Sequence, residues 1–159
     1  MTDMLVKLYN LPELSSSQIN HIAPEIKIRK PFAAEKSMIV QWVREKFNEV
    51  WASEMDVTFS RLPISCYIAQ QDKKMVGVAC YDASTLGYFG PTGVDEAFRG
   101  KGIGKALLLA CLWEMKLKGY GYAIIGWIGP QEFYEKAVGA VVIPESTPGV
   151  WKDWLGDLE

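Results

Sequence analysis

Residues 93–108 read Gly93-Val94-Asp95-Glu96-Ala97-Phe98-Arg99-Gly100-Lys101-Gly102-Ile103-Gly104-Lys105-Ala106-Leu107-Leu108, and over them a strand passes through a short, basic, glycine-rich turn into a long helix. Glycines let a backbone turn tightly and bring its N–H groups against a ligand. The first turn of the helix adds unpaired N–H donors at the positive end of the helix dipole. Arg99, Lys101 and Lys105 put positive charge beside them. Together these features make a seat for a diphosphate. Two nucleotide-binding alternatives fail on spacing. A P-loop needs Ser or Thr after its Gly-Lys pair, and Gly104-Lys105 is followed by Ala106. A dinucleotide fingerprint needs Gly-x-Gly-x-x-Gly, and Gly100, Gly102 and Gly104 are spaced otherwise.

Outward from this junction the pattern alternates between strand and helix. Gly102 to Lys118 is helical, with Ile103, Ala106, Leu107, Ala110, Cys111 and Met115 on one face, and Gly119 stops it. Tyr122 to Trp127 is a continuous apolar run, as a buried parallel strand requires. Pro130 opens a further helix over Gln131 to Val138, and Val141-Val142-Ile143 is a short strand before an irregular tail. On the other side, Ser65–Gln70 and Met75–Tyr81 read as a hairpin turning at Gln71–Lys74, with a third strand over Thr85–Val94. Pro91 cannot donate to a ladder, so that strand carries an edge or a bulge. Helical spacing spans Ala34–Val50, and a second short helix is expected near Ser53 or Asp56. Ile26–Arg29 alternates as a strand. Met4–Leu8 is a less regular one, and Ser15–Ser17 would cap a short helix with Ile19 and Ile22, ended by Pro24. The hairpins and the single crossover predict a mixed α/β fold with helices on both faces of the sheet.

The 159 residues suit one domain, with residues 1–24 as an N-terminal extra packed on a main domain of residues 25–159. A net charge of −2 gives no sign of a nucleic-acid partner. Cys66, Cys80 and Cys111 are widely spaced, and His21 is the lone histidine, so neither a metal site nor a disulfide framework is expected. Free thiols, no leader pattern at Met1–Met4, and no apolar run near the ~18 residues of a spanning helix point to a cytoplasmic protein without a membrane partner.

The run Arg99-Gly100-Lys101-Gly102-Ile103-Gly104 resembles the acetyl-CoA signature of the GNAT superfamily, Arg/Gln-x-x-Gly-x-Gly/Ala. Phe133-Tyr134-Glu135-Lys136-Ala137-Val138-Gly139-Ala140 is similar to that family's second signature, Phe-Tyr-Glu-Lys-x-Gly-Phe, with one residue inserted before Gly139 and Ala140 in place of the aromatic. The resemblance extends from Ile26 to Ile143. It implies a GNAT fold, a mostly antiparallel twisted sheet whose one parallel strand pair splays apart. It also implies acetyl-CoA as co-substrate, with the diphosphate on Gly100–Lys105 and Arg99 and the pantetheine along Thr92, Gly93 and Val94. The Val94 N–H would meet the thioester oxygen.

The same resemblance assigns an N-acetyltransferase acting on a primary amine, a small-molecule acceptor being favoured. Tyr134 matches the position of the acid that protonates the departing thiolate, and a phenol with a pKa of about 10 is suited to that transfer. Glu54 is the candidate base, and Glu96 and Glu132 lie near helix starts where a carboxylate is stabilising in any case. Trp51, Tyr88 and Trp127 are the candidate acceptor-binding residues. A non-catalytic acyl-CoA-binding module and a protein amino-group acetyltransferase are the alternatives, and a homodimer is compatible with the sequence.

Overall fold

Hydrophobic periodicity sorts the chain into a sheet with a helical layer on each face. The computed structural model describes residues 1–13 and 24–157. The expected helix after Ser15–Ser17, and His21, lie outside them. Seven strands are described: β1 (Met4–Lys7), β2 (Ile26–Arg29), β3 (Cys66–Gln71), β4 (Lys74–Tyr81), β5 (Tyr88–Val94), β6 (Tyr122–Ile125) and β7 (Val141–Val142). Their order is β2-β3-β4-β5-β6-β1-β7. Every pairing is antiparallel except β5–β6. The helices are α1 (Lys36–Lys46), α2 (Glu49–Thr58), α3 (Ile103–Lys118) and α4 (Gln131–Val138).

One face of the sheet meets α1 and α2, where Ile39, Val43, Ala52 and Met55 pack on Cys66, Ile68, Val78 and Cys80. The other meets α3, whose Ile103, Leu107, Leu108, Leu112 and Met115 form the larger core with Met4, Val6, Ala79, Phe89 and Ile125. Each of those α3 side chains is at most 1% exposed, so each contributes roughly 1.5–3 kcal/mol by burial.

The differences from the sequence-based boundaries have local causes. The helical pattern of 34–50 breaks because the Asn48 side chain accepts from the Trp51 N–H at 2.8 Å. That starts α2 at Glu49, upstream of the expected Ser53 or Asp56. Strand β5 starts at Tyr88 because Thr85–Gly87 is a turn, tied by the Gly87 N–H to the fully buried Asp82 carboxylate. Strand β6 stops at Ile125, because the Trp127 N–H donates to Asp3 Oδ1. The N-terminal segment is more than an appendage: β1 sits inside the sheet, paired with β6 on one side and β7 on the other.

Candidate active site

Where β5 and β6 run parallel, only Tyr88 with Ile124 and Phe89 with Ile125 face each other. Past Gly90 the strands part, and a register shift on the β4 side falls at the same place. The Asp95 N–H donates to the Val76 carbonyl of β4 at 2.8 Å. By the alternation of an antiparallel ladder, the N–H groups of Val94 and Thr92 point the other way, into the gap. The Val94 carbonyl agrees, since it accepts from Arg99 Nε at 3.3 Å rather than from β4. Thr92 Oγ1 donates to the Val78 carbonyl, which fixes that side chain over its own sheet. A Cβ at Gly93 would overlap the Phe47 ring, so a side chain there requires that ring to shift.

The turn after β5 is built from backbone. Gly100 and Gly102 both have φ near +79°, a conformation that strains any side-chain-bearing residue, and the space beside each is open. Gly102 accepts from the Ala106 N–H, which leaves the N–H groups of Ile103, Gly104 and Lys105 without intrahelical partners. No side chain caps this end of α3. Arg99, Lys101 and Lys105 are exposed around it, and Lys101 lies over the Phe98 ring. The one nearby carboxylate with a strong partner is Asp95. It is bonded to Lys46 at 2.7 Å, which holds it below the usual carboxylate range with help from the Ala97 N–H. The turn thus keeps its positive character, and its donors and charges suit the diphosphate of acetyl-CoA.

At the other end of the gap lies a cavity of about 530 Å³. It brings together Thr92, Trp51, Glu54, Tyr88, Trp127 and Tyr134 from the sequence-based candidates. Val50, Trp51 and Glu54 reach it from one face of α2, while Ala52 and Met55 turn into the core. The Glu54 carboxylate accepts from Ser84 Oγ at 2.5 Å. Burial raises its pKa above the ordinary glutamate value, and the Ser84 bond opposes that shift only in part. The Tyr134 side chain is 6% exposed, and burial alone raises its phenol. Gly139, with the inserted residue before it, caps α4 in a left-handed conformation, and its N–H donates to the Glu135 carbonyl. Tyr134 lines the cavity. Glu96 and Glu132 are exposed and do not line it. Cys66, Cys80 and Cys111 are buried, and burial pushes each thiol up.

Several lining residues were not found in the sequence. Trp151 and Trp154 of the C-terminal tail close over Trp127, with ring centroids 5.2 and 6.1 Å away. The tail is tied to the N-terminus: Thr2 Oγ1 pairs with Ser146 Oγ at 2.7 Å, and Ser146 Oγ accepts from the Asp3 N–H. Asp3, 3% exposed, also accepts from the Tyr88 hydroxyl and from the Trp127 backbone N–H, so it holds one cavity side chain and the backbone of a second cavity residue. Trp127 itself sits at φ 44°, unusual for a bulky residue, and its Nε1 is buried without an acceptor among the described residues. An orphaned buried donor costs about 1–3 kcal/mol. Such costs persist where surrounding structure over-determines a functional geometry.

Residues 36–140 match the model of the acetyltransferase (GNAT) family. No curated protein matches the sequence. Among solved structures, the chain is similar to the GCN5-related glucosamine N-acetyltransferase region of a fungal multi-domain GH3 beta-N-acetylglucosaminidase. The TM-score is 0.71 at 15% identity, over 89% of this chain and 19% of that one. It is also similar to a GCN5-related N-acetyltransferase from Sphaerobacter thermophilus, with TM-score 0.61, 20% identity, and 89% of this chain against 48% of that one. A GNAT family acetyltransferase from Brucella melitensis, solved in complex with acetyl-CoA, gives TM-score 0.56 and 19% identity over 74% of this chain and 86% of that one. At these identities the likeness speaks for the fold alone. The chain spans about a fifth of the first of these structures and about half of the second. Among the described residues no helix is long and apolar enough to cross a membrane.

Proposed function

From the premise that the chain belongs to the GNAT acetyltransferase family, we propose that it transfers the acetyl group of acetyl-CoA to a primary amine of a small molecule. The observation that carries the reading is that three features follow one another along β5. They are a cavity holding a carboxylate and a phenol, a strand edge left unpaired with β6 beyond Phe89, and a donor-rich turn at Arg99–Lys105.

In this reading the N–H groups of Gly100–Lys105, with Arg99, hold the diphosphate, and Thr92 to Val94 hold the pantetheine arm. Bound acetyl-CoA supplies an activated acyl group, whose C–S bond breaks as a C–N bond to the acceptor forms. Glu54 takes a proton from the acceptor ammonium, so that the nitrogen attacks with a free lone pair. Its raised pKa lessens the mismatch with an amine. The Val94 N–H, fixed in the strand edge, offers a hydrogen bond to the carbonyl oxygen as charge gathers there. The Tyr134 hydroxyl, kept protonated by burial, gives its proton to the leaving sulfur. The nitrogen's second proton ends in solvent, so the reaction yields amide, thiol and one proton. The aromatic lining of this cavity, Trp51, Trp127, Trp151 and Trp154, supports a small acceptor over a protein side chain.

The test is acetyl-CoA-dependent thiol release over a panel of amines. Release with at least one amine, together with mass-spectrometric detection of its amide, is the expected result. CoA binding without release for any amine would leave only an acyl-CoA-binding module.

A further inference from the structure

We infer that the acceptor is a monoamine carried on a flat, apolar body, its ammonium toward Glu54 and its body against the Trp127–Trp151–Trp154 wall. The inference rests on the transferase reading above.

Three indoles from two distant segments meet in one cluster, with centroids 5.2–6.1 Å apart. A fourth, Trp51, lies one helical turn from Glu54 on the face of α2 that lines the same cavity. Aromatic walls with a single carboxylate suit a cation attached to an apolar ring, which gains stacking, burial and one ion pair. The remaining lining is largely apolar, including Phe89, Pro91, Ile125 and Ile128.

The polar groups argue against other bodies. Glu54 and Ser84 bond each other, the Asn48 side chain caps α2, the Tyr88 hydroxyl donates to Asp3, and Thr92 Oγ1 donates to Val78. A sugar would bring hydroxyls with few free partners, and each unpaired one costs affinity. A polyamine would need a second carboxylate. Asp3 is committed to Trp127 and Tyr88 and does not line the cavity. Among the described residues Glu54 is therefore the one carboxylate on the lining, and it matches a single ammonium.

Thiol release is measured with phenethylamine, tryptamine, ethylamine, glucosamine and spermidine. The kcat/KM of the two aryl amines is expected to exceed that of glucosamine and spermidine by at least about tenfold. In Trp154→Ala and Trp151→Ala the ratio of kcat/KM for phenethylamine over ethylamine is expected to fall about tenfold, and Trp154→Phe to keep most of it. A ratio confines the readout to recognition of the body, so a partly destabilised variant still reports on it. Glucosamine or spermidine outpacing the aryl amines, or a ratio unmoved in both alanine variants, overturns the inference and leaves the transferase reading standing. No release with any of the five overturns both.

Discussion

The phosphate-facing turn and the cavity lie at the two ends of one gap, and they are built on opposite plans. The turn is local. Within Arg99–Lys105 the backbone supplies the donors, two glycines supply the geometry, and the charged side chains lie in solvent. The cavity is assembled from residues of α2, the β4–β5 connection, β5, β6 and the segment after it, α4, the N-terminus and the C-terminal tail. A seat made of backbone can be specified by a seven-residue motif and holds whatever carries a diphosphate. A pocket assembled from segments spread along the chain can change its ligand without disturbing that seat. Substitutions at the two ends should therefore separate into turnover and acceptor effects on one side and cofactor affinity on the other.

The largest separation is expected from Glu54→Gln. It should lower kcat by ~10²–10⁴-fold, the usual worth of general acid–base catalysis, with CoA affinity by calorimetry nearly unchanged. The base acts when ionised, so wild-type kcat/KM should rise with pH through a pKa above the ordinary glutamate value, and the variant should lack that limb. A parallel loss of CoA affinity would break the division between the two ends. Tyr134→Phe keeps the ring in the core and removes the hydroxyl. It should lower kcat at least about tenfold at constant CoA affinity. Lost thermal stability with unchanged kcat would make Tyr134 a packing residue.

A smaller effect is expected from Trp127→Ala, which should raise the acceptor KM about tenfold and the acetyl-CoA KM much less. If only the acetyl-CoA constant moved, the acceptor would lie elsewhere. The smallest concerns stability. Glu54's folded pKa is raised, so the folded state binds the proton more tightly than the unfolded chain does. Its contribution to stability is fully present below the unfolded value and is lost as pH rises through the folded one. Glu54→Gln should therefore melt slightly higher than wild type at neutral pH, with the gap closing toward acid pH.

The same contrast governs what the sequence reveals. The turn, α3, the β3–β4 hairpin and α4 were legible because each signal is contiguous: glycines, a basic run, one period at a time. The hairpin even closes on Asp72 and Lys73 with positive φ, as a tight two-residue turn requires. The cavity was half legible. Trp51, Glu54, Tyr88, Trp127 and Tyr134 lie inside the stretch resembling the family, and they meet. Asp3, Ser84, Trp151 and Trp154 left no local signal. Asp3 precedes a four-residue strand whose place between β6 and β7 no periodicity encodes. The tail tryptophans sit in an irregular segment whose position depends on hydrogen bonds 143 and 144 residues apart in sequence. The helical spacing over 34–50 is divided between α1 and α2 because one Asn side chain outcompetes the helical period.

Calorimetry of CoA binding is the most direct test of the account as a whole, because every assigned role depends on the diphosphate lying on the Arg99–Lys105 turn. Wild type should be compared with Gly102→Val, which puts a branched side chain where the backbone meets the ligand, and with Arg99→Ala/Lys105→Ala, which alters only exposed side chains. Melting temperatures would separate backbone strain at φ +79° from lost binding. The account predicts at least about tenfold weaker CoA binding in Gly102→Val, and a smaller, salt-sensitive loss in the double variant, as screened charges allow. Equal CoA affinity in wild type, Gly102→Val and the double variant would contradict it.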